Sequence, residues 1–301
     1  MRRIVLSLVF ASALTVPLFS QTQDLILPVA LNGYTSPPVH YQTIIRIVNM
    51  SATAVDVTLE AYQNDGTPVR ILELFPVARP GTTTAFTIDA RGAVEAFTAE
   101  DIPSLNGWIR LTFDASATVQ AVAEVAVITG LVGPHPICMR PSTEIATSAQ
   151  VPAVRASSKF NGFAVSRTYR QSGYVLINPS TTQTATAFLS LMDLSGKFVA
   201  SGTFPIPPQA RLSRFVNEFL SDTPADFMGT LHVTSTIPIA VGGINVLFPE
   251  GKFTTINTAS PPVVACAQIV TPARNPLTNE CRAFPTPCDV PDGWTPATSC
   301  N

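Results

Sequence analysis

The sequence predicts an all-β fold: two tandem antiparallel β-sandwiches followed by a short disulfide-rich tail. Three observations carry this. The first is apolar alternation with a period of two. Along Thr118 to Ile128, Val119, Ala121, Ala123, Val125 and Val127 fall on one side. Thr118, Gln120, Glu124 and Ala126 fall on the other, with Val122 the exception. That is the pattern of a half-buried strand. Trp108 to Phe113 repeats it with Ile109, Leu111 and Phe113 inward. The second is a run of turn signals at strand-length intervals: Asn64-Asp65-Gly66, Pro80-Gly81, Ser195-Gly196, Pro207-Pro208 and Pro249-Glu250-Gly251. Helical periodicity is confined to Leu212–Leu220, where Phe215, Phe219 and Leu220 share a side and Asp222 and Pro224 end the segment.

The third observation is an internal repeat. Ile45 to Ser51 is followed by the alternating Val57 to Tyr62 and then by Asn64-Asp65-Gly66. Tyr174 to Ser180 is followed by Phe188 to Asp193 and then by Leu194-Ser195-Gly196. Further on, Gly107-Trp108-Ile109-Arg110-Leu111-Thr112 matches Gly229-Thr230-Leu231-His232-Val233-Thr234. Each unit closes on a Thr-rich strand and a proline, at Thr143–Pro152 and Phe253–Pro261. The repeated Asn-x-Ser is turn chemistry, because a short amide or hydroxyl side chain bonds its own backbone two residues on.

The second unit resembles sandwich segments found in tandem in secreted proteins of environmental bacteria, acidobacteria especially. Asn178-Pro179-Ser180, Asp193–Gly196, Phe215-Val216-Asn217-Glu218-Phe219 and Gly229–Val233 carry the resemblance. In the first unit Met50 replaces the proline, and the short helix is poorly marked at Val94–Phe97. The resemblance covers about residues 25 to 260 and implies immunoglobulin-like sandwiches outside the cell, with no particular chemistry. The tail from Ala273 to Trp294 is similar to small Cys-rich end modules of other bacterial secreted proteins.

The expected organisation is a signal peptide over 1–20, a first sandwich over 21–155, a second over 156–261 and a Cys-rich tail over 262–301. Arg2 and Arg3 precede the apolar run Ile4–Leu18, which is signal-length and too short for a standard spanning helix. Secretion, to the cell surface or periplasm as much as to the medium, permits disulfides. Cys266, Cys281, Cys288 and Cys300 are read as two disulfides with three possible pairings, since their spacing does not fit zinc knuckles. Cys138 is left as a free thiol.

Only 13% of the 301 residues are charged and the net charge is −2. With a pI near 5.9 this excludes a basic nucleic-acid surface. No cofactor is expected. His40 is read as a loop residue, and His232, between Leu231 and Val233, as an outward surface histidine. Glu95, Glu100 and Asp101 are read as solvated loop carboxylates. No G-x-S-x-G elbow, H-E-x-x-H or P-loop occurs. Trp108 and Arg110 are the candidate binding surface: alternation puts both on the outer face, where Trp108 either meets a partner or is covered by the other sandwich. The functional expectation is a secreted, non-catalytic module that binds an extracellular protein or glycan, by adhesion or scaffolding. The alternatives are a hydrolase with a site between the sandwiches, and an inhibitor-like tail on a sandwich stalk.

Overall fold

Among the described residues, strands form where the period-two runs lie, and turns form at Asn64-Asp65-Gly66, at Ser195 and at Pro208. The computed structural model describes residues 21–36, 39–69, 73–75, 83–97, 105–129, 145–249, 251–256, 258–259 and 267–300. The expected signal peptide, Cys138 and Cys266, His135, Pro80-Gly81 and Glu100-Asp101 lie outside them.

The first half builds β1 (Thr22–Ser36), β2 (Val39–Asn49), β3 (Val55–Gln63), β4 (Pro68–Val69), β5 (Glu73–Phe75), β6 (Thr83–Ile88), β7 (Ala93–Phe97), β8 (Leu105–Asp114), β9 (Val119–Thr129) and β10 (Ile145–Pro152). One sheet pairs β1 with β8, β8 with β3, and β3 with β4 and β6. The facing sheet runs β10–β9–β2–β7–β5. The end of β1 crosses over to pair with β2. Between the layers lie Leu27, Ile45, Ile47, Leu59, Ile109 and Leu111, all 0% exposed. Each contributes about 1.5–3 kcal/mol by leaving water.

The second half builds β11 (Ser157–Arg167), β12 (Arg170–Ile177), β13 (Ala185–Asp193), β14 (Phe198–Ile206), β15 (Arg211–Phe215), α1 (Val216–Phe219), β16 (Phe227–Leu247) and β17 (Lys252–Ile256). The long β16 serves both layers. Its first half pairs with β11 and β13, as β8 does with β1 and β3. Its second half pairs with β12 and β17, as β9 does with β2 and β10. The repeat is thus a repeat of strand pairings. The tail adds β18 (Thr271–Arg274), β19 (Cys281–Phe284) and β20 (Thr295–Pro296) as a small sheet.

The repeated asparagines plug the same end of each sandwich. Asn49 Nδ2 donates to the carbonyls of Thr53, Ile88 and Asp89 at 2.8, 3.2 and 3.0 Å, and its Oδ1 accepts from Ser51 N at 2.8 Å. Asn178 Nδ2 donates to Gln183, Ile206 and Pro207 at 2.7, 2.9 and 3.1 Å, and its Oδ1 accepts from Ser180 N at 3.0 Å. Both side chains are 0% exposed, so every bond is made away from water.

Three sequence expectations change. The helix over Leu212–Leu220 shrinks to Val216–Phe219, because Arg211–Phe215 pairs along β12. Its counterpart at Val94–Phe97 lies in β7, which carries Glu95 on a strand rather than a loop. His40 likewise belongs to β2, where it pairs with Tyr34 and Ile128. In each case a neighbouring strand supplies ladder bonds that local sequence cannot announce.

Candidate functional site: two equivalent sheet faces

The outer face of the β1–β8–β3 sheet is the first place where chemistry-bearing side chains gather. Alternation turns Trp108, Arg110 and Thr112 outward on β8, beside Glu60 and Tyr62 of β3. Trp108 and Tyr62 stack with centroids 4.5 Å apart at 19°. The Arg110 guanidinium lies 5.5 Å from the Trp108 ring and 5.6 Å from that of Tyr62, a cation–π arrangement. Arg110 also faces Asp24 and Glu60, each at 3.8 Å. Burial pushes the Tyr62 phenol up to about 12 against the opposing pull of Arg110. It therefore stays neutral and donates to Glu60 at 2.9 Å.

Trp108 is outward with respect to its own sandwich, as alternation requires, yet it is 0% exposed. Of the two readings of an outward Trp108, the structure shows the second: the other sandwich covers it, so Trp108 and Arg110 do not form an open binding surface. Trp108 Nε1 donates to Gln209 O at 2.9 Å, and Arg110 donates to Pro179 O. Around them Ile26, Val29, Val125 and Val151 meet Val175, Ile177 and Ala240 in one apolar cluster. Gly66 holds φ +88°, which favours glycine, and it lies close to the second sandwich: a Cβ there would stand 3.0 Å from Pro208 O. Arg211 closes the junction. It donates to Gly107 O, and to Asn106 Oδ1 at 2.7 Å, while its Nε has no partner among the described residues. Burial lowers its pKa to about 10, which still leaves it a cation at neutral pH.

Beyond Arg110 the same face opens into a groove of about 460 Å³, lined by Thr22, Thr53, Asp56, Thr58, Thr112 and Asp114 among others. Its carboxylates are held by hydroxyls: Thr87 donates to Asp56 at 2.6 Å and Ser116 to Asp114 at 2.6 Å. Among the described residues no group of His, Cys, Asp and Glu has the geometry to hold a metal ion, and no helix is long and apolar enough to cross a membrane.

The second gathering is the matching face of β11–β16–β13. Thr230 and His232 of β16 occupy the repeat positions of Trp108 and Arg110. Here the tail is the cover. Phe284 and Trp294 meet Phe188 edge-on, with centroids at 5.7 and 6.1 Å, and Asn275 Nδ2 donates to Ser201 Oγ at 2.8 Å. His232 Nδ1 lies 2.7 Å from Asp292 Oδ2, and its Nε2 lies 3.0 Å from Thr230 Oγ1. His232 therefore faces out of its sheet as expected, but into a module rather than into solvent. Ser190 Oγ is also covered there and has no partner among the described residues.

Hydroxyl, imidazole and carboxylate in that order are the parts of a nucleophile–base relay. The strand context withholds the rest. Thr230 sits mid-strand between β11 and β13, both of which pair with it. Its neighbouring backbone N–H groups are thereby committed to the ladder, and an acyl-transfer site needs such groups free for an oxyanion. What the contacts do is tie the tail to β16.

The His232 bond, with the Lys159 charge as a smaller contribution, holds the Asp292 carboxyl below its usual range. A depressed carboxylate stabilises docking above its free pKa, and that stabilisation is lost as pH falls through the depressed value. Tail docking is therefore expected to persist through neutral pH and weaken below about pH 4. Near-UV circular dichroism of the tail aromatics against pH checks this, and Asp292→Asn is expected to flatten the profile.

Cys281 and Cys300 form a disulfide within the tail, and Cys288 is disulfide-bonded as well. Sequence reasoning found the cysteines, the outward His232 and the outward Trp108. It missed Asp292 and Arg211, whose partners are remote in sequence, and it reads the glycine of Asn64-Asp65-Gly66 as a hairpin turn alone, where the structure adds the close approach of the second sandwich. No family model matches the chain, and neither curated proteins nor solved structures give a match.

Proposed function

We propose that the chain is a secreted, non-catalytic scaffold or adhesion module that binds an extracellular protein or glycan through its exposed loops and sheet faces. One observation supports this reading most. The polar side chains gathered on the two outer faces are engaged at the junctions: His232 with Asp292 and Arg110 with Pro179 O join one module to the next, while Glu60 and Tyr62 flank Arg110 on its own sheet. Among the described residues an open Thr- and Asp-lined groove on the first sandwich offers a ligand surface. Its hydroxyls and carboxylates suit a polyhydroxylated or amide-rich ligand more than an apolar one.

The test is a glycan and protein array probed with the secreted chain. Binding that disappears in an Asp56→Arg variant with an unchanged melting profile is the expected result. Ester or peptide turnover by the chain would instead favour a hydrolase, and its loss in His232→Ala would put the site under the tail rather than between the sandwiches.

A further inference from the structure

The two outer faces are equivalent, and so are the turns that dock on them. In the second sandwich the docking turns are Pro179–Ser180 and Pro207–Gln209. Pro179 O accepts from Arg110, and Gln209 O accepts from Trp108. Gln209 holds φ +58°, and its N–H donates to Ser180 O at 3.0 Å. The first sandwich carries the same construction. Arg91 holds φ +56°, and its N–H donates to Ser51 O at 3.1 Å. Asn49 N donates to Gly92 O at 2.9 Å, as Asn178 N does to Ala210 O at 3.0 Å. Met50 stands where Pro179 stands, and it is 53% exposed. This docking turn is complete and faces outward.

At the other end of the chain, the matching acceptor face is the one beneath the tail. His232 replaces Arg110 there, and the Asp292 carboxylate takes up His232 as the Pro179 carbonyl takes up Arg110. Phe188 and Met192, 4% and 9% exposed, are the apolar side chains of this face on β13. Ser190 Oγ remains without a partner among the described residues. The tail thus covers the face without satisfying all of it.

The geometry points to a capped head-to-tail assembly. The Met50–Arg91 end of one copy fits the Phe188–His232 face of a second copy of this chain, and the tail is the cap that occupies that face in the monomer. Such an interface is heterologous: each copy keeps one free turn and offers one face, so contacts continue along a row rather than closing on themselves. A polar cap on the terminal unit is what a stack of like modules requires to remain soluble. The tether favours the tail, because a linked module competes at an effective concentration of about millimolar. The inference concerns the chain's own assembly and stands whether or not the groove binds a ligand.

The test uses the full chain with the cap loosened in two ways. Asp292→Arg sets a cation against His232 and Lys159, and Ala273→Glu puts a carboxylate into the cluster around Phe188. Lifting of the tail is read as increased acrylamide quenching of Trp294, since Trp108 is 0% exposed and silent to quencher. The expected result is a wild-type monomer and, in the lifted variants, a mass by sedimentation velocity that rises with concentration beyond twice the monomer's. Adding Met50→Asp is expected to return both variants to monomer. A lifted tail with a monomer at every concentration overturns the inference. So does association that survives Met50→Asp, which would mean that faces pair with faces. Unchanged quenching in both variants overturns it too, because the tail would then be held by neither group.

Discussion

Asn178→Ala is expected to destabilise the second sandwich by about 3–5 kcal/mol. The amide gives up bonds to Gln183, Ile206 and Pro207 and one from Ser180. A net hydrogen bond is worth about 0.5–1.5 kcal/mol, and a buried group left unpaired costs about 1–3 kcal/mol. Water has little access, since the side chain is 0% exposed. For a domain of roughly 100 residues the loss corresponds to a fall in melting temperature of about 12 °C or more. Asn49→Ala is expected to do the same to the first sandwich. Asn178→Asp separates hydrogen bonding from shape. It keeps the volume but turns a carboxylate toward three carbonyls, which raises the pKa of the new acid. That variant is expected to recover stability as pH falls and the acid protonates, opposite in sign to the Asp292–His232 contact. Calorimetry of the variants at pH 7 and pH 4.5 checks both statements. A loss under 1 kcal/mol in Asn178→Ala would mean that the ladder alone closes the sandwich end.

These asparagines show why the fold was legible in the sequence. The Asn-x-Ser turn, the Gly of the following hairpin and the alternation of β8 and β9 act over a few residues, so their signals survive in a single chain. The same locality misled at Leu212–Leu220. The apolar spacing there is helical, but Arg211–Phe215 faces β12, and a ladder across the sheet outweighs a local preference. The candidate site was legible only by half. Alternation put Trp108 and His232 outward correctly, because outwardness is a local property. What covers an outward residue is a matter of tertiary placement. Gln209 reaches Trp108, and Asp292 reaches His232, across long stretches of chain that carry no common motif. The repeat itself held the missing clue. Two faces at equivalent positions, both followed by further chain, are both given something to hold.

Trp108→Ala is the sharper probe of that coupling, with an expected loss of about 3–5 kcal/mol. The indole is fully enclosed, lies against Tyr62 at 4.5 Å and bonds Gln209 O. Truncation removes the stack, empties the space and orphans a carbonyl of the second sandwich. The loss falls on the junction rather than on either core, because Ile109 and Leu111 point the other way and keep their contacts. The wild type is therefore expected to melt in one transition and Trp108→Ala in two, as each sandwich unfolds by itself. Trp108→Phe keeps a ring over Tyr62 but not the N–H, and about 1–2 kcal/mol is the expected cost. Arg211→Met is expected to behave differently although Arg211 is equally central. No carboxylate among the described residues pairs with this buried cation, and its Nε is unsatisfied. Desolvation of the ion therefore offsets much of what its bonds to Gly107 and Asn106 contribute. An apolar side chain of similar volume is expected to leave the single transition within about 1 kcal/mol of wild type. Calorimetry of the three variants decides the matter. Two transitions in Arg211→Met and one in Trp108→Ala would assign the junction to the guanidinium and remove Trp108 from its centre.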